Sequence, residues 1–257
     1  MDDFADRLRA RESLAGAWSM IGDPVAVEIL ATAGFDFLVV DGEHSENTVR
    51  DLANLVRAVD ATGADTATMA RVSGPDRAEI RRVLDFGPDA VLVPQIESVE
   101  MAREAVAATT YPPAGVRGVA GGRASGYGTD IDEYVAGAND AVATVLQVET
   151  EGAVQDLEEI VAIDGLDALF VGPADLSARL GAFGDFEDER VRSALERIVA
   201  IADEADVPVG TLATGLDAVA ERTIDWEMDF VVSGTDVGYL REGASRYRDA
   251  LAVARGE

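Results

Sequence analysis

The chain has 257 residues, 48% of them hydrophobic, enough for one barrel-sized domain with a large core. It contains no cysteine and no lysine, which excludes disulfides, thiolate metal sites, cysteine nucleophiles and a Schiff base on a side-chain amine; only the α-amino group could serve there. A formal net charge of −28 argues against a nucleic-acid surface, no apolar run approaches a membrane span, and the mixed charges of residues 1–12 are unlike a secretory signal, so a cytoplasmic protein is expected.

The first apolar run, 15–20, predicts a strand, and Asp23-Pro24 after it opens a helix, with Pro suited to the first turn. A second strand is predicted over 35–40. Residues 48–62 then set Leu52, Leu55, Val56 and Val59 on one helical stripe. The third strand, 66–72, is followed by a helix start at Gly74-Pro75-Asp76, and the fourth covers 90–95. The stretch 111–134 is long and rich in Gly and Pro. It reads as an ordered functional loop with a short helix at 131–138. Strands are predicted at 143–149 and 168–171. Residues 187–205 place Val191, Leu195, Ile198 and Ala202 on one stripe, and strands at 207–212 and 230–233 complete the set.

These eight runs are apolar at consecutive positions, as strands buried on both faces are. Strands alternating with helices imply a parallel sheet. In about 250 residues its natural closure is an α/β (β/α)8 TIM barrel, here a single domain over 1–257; a doubly wound open sheet is the second choice.

A barrel of this kind places its chemistry at the carboxyl ends of its strands. The second strand runs into Asp41-Gly42-Glu43-His44, the third ends at Arg71, the fifth at Gln147-Val148-Glu149, and the sixth runs into Gly172-Pro173-Ala174-Asp175. Glu149 and Asp175 form a hard-cation pair of the kind that holds Mg2+ or Mn2+; the plainer alternative is that each caps the helix after it. Gly172 to Asp175 open a helix whose free N–H groups suit a carboxylate. Arg71 would meet an oxyanion such as an enolate oxygen, or else make a structural salt bridge to Glu43 or Glu97. His44 is the only histidine. With carboxylates beside it, it suits a proton shuttle, although a lone histidine is often an ordinary surface residue.

Several segments together resemble the HpcH/HpaI aldolases, metal-dependent pyruvate aldolases of the phosphoenolpyruvate/pyruvate superfamily. They are Ala33-Gly-Phe-Asp-Phe running to Asp41-Gly-Glu-His44, Leu92-Val-Pro94, Tyr111-Pro-Pro-Ala-Gly-Val-Arg-Gly118, Gln147-Val-Glu149 and Phe170-Val-Gly-Pro-Ala-Asp-Leu-Ser177. The resemblance implies that Glu149 and Asp175 ligate a divalent ion (Mg2+, Mn2+ or Co2+) and that a 2-oxo acid chelates it, with its carboxylate near the backbone of Ala174 and Asp175 and with Gly172 and Pro173 in the same turn. It further implies that Arg71 steadies the enolate oxygen, Gln147 stands beside the metal, Leu212 lines the aldehyde pocket, and His44 works with Asp41 or Asp85 as the acid/base unit. Such a protein would cleave a 4-hydroxy-2-oxo acid to pyruvate and an aldehyde, as a homo-oligomer, commonly a hexamer. The segment 120–126 looks shorter than in the relatives and is expected to touch the aldehyde.

Rival readings are a 2-keto-3-deoxy sugar-acid aldolase and an acyl-CoA lyase of the citrate-lyase or malyl-CoA type, which would want basic residues for the CoA phosphates. A non-catalytic barrel sensing a metal or a 2-oxo acid is the rival from another class. Finally, the 49 acids are dispersed and all 21 basic residues are arginine, a style that fits proteins working in molar salt; an ordinary acidic protein is the alternative.

Overall fold

The chain order is α1 (Phe4–Arg9), β1 (Leu14–Ser19), α2 (Pro24–Ala31), β2 (Phe37–Asp41), α3 (Val49–Thr62), β3 (Ala67–Arg71), α4 (Arg77–Leu84), β4 (Ala90–Val93), α5 (Val99–Thr109), α6 (Ile131–Ala141), β5 (Ala143–Val148), α7 (Glu151–Gln155), α8 (Leu157–Ile160), β6 (Ala168–Val171), α9 (Pro173–Arg179), α10 (Glu189–Glu204), β7 (Val209–Leu212), α11 (Leu216–Ala220), β8 (Phe230–Thr235) and α12 (Asp236–Arg255). A computed structural model describes residues 4–255. The eight strands are parallel and close into a barrel, each pairing with its neighbour in sequence and β8 returning to β1. This is the (β/α)8 barrel expected from the alternation; an open sheet is ruled out because the ring has no edge.

Consecutive apolar residues in each strand are explained by burial on two sides. Leu38, Val40, Ala70, Val91, Leu146, Leu169 and Val209 face outward, in one core with Leu52, Leu55 and Val56 of α3 and Val191 and Ile198 of α10. The alternate side chains fill the bore: Leu14, Trp18, Phe37, Val39, Met69, Leu92, Val145, Phe170 and Phe230, with Phe4 and Leu8 of α1 in the same cluster. Gly16 and Gly210 occupy bore positions where a Cβ would run into the rings of Phe37 and Phe230, their register partners, so the aromatic layer requires glycine on the neighbouring strands.

Local signals set the helix starts. Asp23 caps α2 by accepting from Val25 N, with Pro24 at the first turn. Thr48 and Asp51 form a reciprocal capping box on α3, which ends at Gly63 in the left-handed region (φ 67°). At α4 the cap is Asp76, so Pro75 precedes the helix instead of occupying its first turn. The segment 111–134 contains a 3-10 turn, Arg123–Gly128, and α6 runs on to Ala141, beyond the expected end at 138. Helix α12 differs from the ring helices: of its 20 residues only Asp236 is buried, while Leu240, Tyr247 and Val253 are largely exposed. Among the described residues no helix is long and apolar enough to cross a membrane.

Candidate active site

Bore residues recur at every second strand position, and the last inward position of several strands is polar. On β2 the inward series Phe37, Val39 ends at Asp41. On β3 the series Ala67, Met69 ends at Arg71. On β5 Ala143 and Val145 lead to Gln147, and on β7 Gly210 leads to Leu212. These four residues line a cavity of about 260 Å3 together with Trp18, His44, Phe170, Gly172, Pro173, Ala174, Asp175, Phe186 and Arg222. A larger groove, about 860 Å3, lies against α10 and residues 221–227; it holds none of the strand-end residues, so the smaller cavity is the candidate site.

Asp41 and Arg71 sit opposite each other in the β2–β3 register. Arg71 Nε and Nη2 donate to the two Asp41 carboxylate oxygens, both at 2.8 Å, a planar fork on a planar acceptor. Its Nη1 lies 2.7 Å from Glu43 Oε2, although that oxygen has no well-directed hydrogen bond. The guanidinium also stacks over Trp18 at 4.5 Å. Of the salt-bridge partners considered from sequence, Glu43 is present, Glu97 is not, and Asp41 is the principal one. A guanidinium has five N–H donors and Asp41 takes two of them, so two on Nη1 and one on Nη2 remain for another partner. Burial alone would raise the Asp41 carboxyl, but Arg71 outweighs it and holds Asp41 below the usual carboxylate range.

Glu149 is buried. Its Oε1 accepts from Gln95 N at 2.8 Å and its Oε2 accepts from Gln147 Nε2 in a short contact. Burial pushes its carboxyl up, and the negative charges of Glu43 and Asp175 add to this against the two hydrogen bonds. Neither candidate ligand makes a capping hydrogen bond, although Asp175 holds a first-turn position where the helix end also favours an acid. Thr150, not Glu149, caps α7 through Ala153 N, and Asp175, exposed in the first turn of α9, makes no capping hydrogen bond. Gly172 is required by close approach: a Cβ there would lie 2.7 Å from Glu149 Oε2 and 2.9 Å from Gln147 Nε2.

Among the described residues no cluster of three or more Asp, Glu, His or Cys side chains could by itself hold an ion. The donors that do converge are oxygens: the raised Glu149 carboxylate, Asp175, and the buried Gln147 Oε1, which has no partner. Two carboxylates and an amide oxygen fit a hard divalent cation that keeps waters and takes substrate oxygens.

Two predicted roles need correction. The Asp41 side chain does not reach the His44 ring; beyond Arg71 it accepts from the backbone N–H of Glu43 at 2.9 Å and of His44 at 3.4 Å. The His44 ring is largely exposed, with Glu43 Oε1 at 3.8 Å, beyond hydrogen-bond reach. Asp85 is not brought to this cavity at all. It caps the carboxyl end of α4, which runs back from the end of β3 to the start of β4 and so finishes at the other rim. There burial raises its carboxyl, against Arg117 and Arg81.

The same rim holds the 111–134 segment. Ala124 N donates to Asp85 O at 3.1 Å. Arg117 packs on the rings of Tyr111 (4.5 Å) and Tyr134 (5.5 Å) and donates to Leu84 O and Tyr134 Oη. Residues 120–126 therefore do not line this chain's cavity, and Tyr111 to Gly118 organise a loop away from it.

Sequence reasoning missed Trp18, Phe186 and Arg222, and it gave no role to Asp236 at the end of the eighth strand. Trp18 was visible as an inward strand position. Asp236 accepts from Ser19 Oγ, Met20 N and Ile21 N and so fixes the β1–α2 connection beside the cavity. Arg222, within Glu221-Arg222-Thr223, carries no signal that separates it from a surface helix.

The family model for HpcH/HpaI aldolase/citrate lyase matches residues 14–242. The chain belongs to that family. A 5-keto-4-deoxy-D-glucarate aldolase of Escherichia fergusonii is 38% identical over 249 residues, 96% of each chain. A hydroxypyruvate/pyruvate aldolase of Roseovarius nubinhibens is 39% identical over 254 residues, 98% of this chain and 96% of its own. The crystal structure of an HpcH/HpaI aldolase/citrate lyase family protein from Burkholderia cenocepacia superposes with a TM-score of 0.91 at 38% identity, covering 98% of both chains. As an HpcH/HpaI family member with full-length aldolase relatives, the chain is a carbon–carbon lyase.

Proposed function

We propose that this chain is a divalent-metal-dependent aldolase that reversibly cleaves a 4-hydroxy-2-oxo acid to pyruvate, or a similar 2-oxo acid, and an aldehyde. The observation that carries this reading is that Asp175, Gln147 and Arg71 line one cavity at the carboxyl end of the bore, with the buried Glu149 carboxylate against Gln147, in a chain without lysine. Glu149 and Asp175 would hold Mg2+, Mn2+ or Co2+, with Gln147 Oε1 beside them. When bound, the ion supplies Lewis acidity toward the 2-oxo group.

Arg71, locked in place by Asp41, would aim its remaining N–H groups at the oxygen on which charge develops as the carbon–carbon bond breaks. The backbone N–H groups of Ala174 and Asp175 lie in the first turn of α9 without intrahelical partners and would receive the 2-oxo acid carboxylate. His44, open to solvent at the cavity edge, would take the 4-hydroxyl proton as the bond breaks and return a proton to the three-carbon product. Leu212 would face the aldehyde. Substrates of this kind are small molecules; no nucleic acid or membrane has a part in the reading. We also propose a homo-oligomer, the hexamer that the resemblance implies; the exposed apolar side chains of α12 support a contact between copies.

A sugar-acid substrate is favoured as a second reading by the relatives named 5-keto-4-deoxy-D-glucarate aldolase; it differs only in the aldehyde half. The test is pyruvate release from a racemic 4-hydroxy-2-oxo acid, with and without chelator, and with borohydride added to pyruvate. Chelation should abolish turnover and borohydride should trap no adduct. Full turnover after proven removal of divalent ions would refute the proposal.

A further inference from the structure

Two buried acids at the carboxyl rim share one neighbour. Of the five non-glycine residues with a positive φ among the described residues, Gln95 (φ 59°) is the one that follows the carboxyl end of a barrel strand, just after β4 and Pro94. Left-handed backbone is unfavourable for a residue with a Cβ, and glutamine is not among the types that take it readily. Such a conformation persists where its surroundings over-determine it. Gln95 is held at both ends. Its backbone N–H donates to Glu149 Oε1 at 2.8 Å, and its side-chain Nε2 donates to Glu43 Oε1 at 2.6 Å.

The two acceptors come from different strand ends, Glu43 after β2 and Glu149 after β5, and the charge of Glu43 acts on Glu149. A neutral residue that gives one N–H to each carboxylate stabilises both charges and fixes their spacing. The rest of the β4–α5 connection is tied to the β5–α7 connection: Thr150 Oγ1 donates to Ile96 O at 2.6 Å, and Val99 N donates to Asp156 Oδ2 at 3.0 Å. These ties keep the turn beside Glu149. With Oε1 taken by Gln95, the other oxygen, Oε2, lies on the side of the Gly172 turn, which leads to Asp175. Hydrogen bonds to a ligating carboxylate set its orientation toward an ion.

We infer that Gln95 is a positioning residue for the ion site: anchored on Glu43 by its side chain, it keeps a left-handed turn whose N–H holds Glu149 Oε1 and so directs Oε2 toward the Asp175 side. This rests on the reading of Glu149 and Asp175 as ion ligands.

The experiment measures Mn2+ binding by calorimetry, and amide hydrogen exchange at residue 95 by NMR in the ion-free protein, for the wild type, Gln95→Ala and Gln95→Gly. Both variants lose the anchor on Glu43, but only glycine takes the left-handed conformation at no steric cost. Gln95→Ala should bind Mn2+ about 10- to 100-fold more weakly, the loss expected when the partner of a ligating carboxylate is removed, and its residue-95 amide should exchange faster. Gln95→Gly should stay within about threefold of the wild-type affinity and keep slow exchange. A merely structural role would lower the melting temperature of both variants without this order of affinities. Gln95→Met keeps the bulk without the amide and is read in place of the Ala variant should that one not fold. Equal affinity in all three proteins, or an equal loss in both variants, overturns the proposal. If the wild type binds no Mn2+, the ion reading has failed. Exchange still reads Gln95 in that case: a faster amide in Gln95→Ala than in the wild type and Gln95→Gly supports its hold on Glu149, and equal rates remove it.

Discussion

At the scale of single residues, the Asp41–Arg71 pair is assembled before any substrate arrives. Both groups are buried and joined by two 2.8 Å hydrogen bonds. Removing one partner leaves an uncompensated buried charge, so Asp41→Asn should cost about 3–5 kcal/mol in denaturant unfolding. The sign of its pH dependence follows from the lowered carboxyl. Its stabilisation is fully present above the unfolded value, about 3.9, and is lost as pH falls through the lower folded value. Acid titration of unfolding should therefore show a loss below about pH 4 in the wild type that is smaller in Asp41→Asn; identical profiles would mean that Asp41 is not the titrating group. Arg71→Lys keeps the charge but loses the fork. If Arg71 meets charge in the transition state, kcat/KM should drop by on the order of 10²-fold or more. Near-native kinetics in that variant would assign Arg71 to structure alone.

At the scale of elements, the β6–α9 turn matters most, because it brings Asp175 to the cavity and must pass close to the Gln147–Glu149 contact. Gly172 makes that passage possible. Gly172→Ala should displace Glu149 and Gln147, weakening divalent-ion binding and lowering kcat at least about tenfold, with helix content by circular dichroism unchanged. Wild-type ion affinity in that variant would show that the turn yields without disturbing the carboxylate. The elements also explain what was legible beforehand. Stripes such as Leu52, Leu55, Val56 and Val59 predicted α3 because helical periodicity is a local property, and consecutive apolar strands announced burial on two faces. Asp85 was misplaced because its role depends on which end of α4 it occupies relative to the bore, and that polarity is set by barrel closure.

At the scale of the whole molecule, the net charge of −28 is carried by acids spread along the chain, with many exposed, as in α10 and α12. Like charges repel over a Debye length of about 10 Å at 0.1 M salt, shrinking to about 3 Å at 1 M. Unfolding or dissociation separates them, so molar KCl or NaCl should raise the melting temperature and preserve the assembly, while dilution into low salt should cost activity. Because screening is the cause, chloride should act as well as sulfate. Thermal melts and light scattering from about 0.1 to 3 M KCl measure this; a constant melting temperature and mass would leave the acidic surface without a role in stability.

The one-dimensional pattern was sufficient for the eight strands, the barrel class, the strand-end set Asp41, Arg71, Gln147, Glu149 and Asp175, and the exclusion of a lysine mechanism. Each of these depends on residue type and short-range spacing, which strand alternation converts directly into a direction in the bore. Tertiary structure alone decided that Arg71 belongs to Asp41, that the His44 ring stands free of it, that Asp85 and the Tyr111–Gly118 motif gather at the opposite rim, and that Arg222 is buried against Trp226 and Phe186 at the cavity wall. These are pairings between residues far apart in sequence, fixed by which strands become neighbours when the barrel closes and by which end of a helix meets the bore.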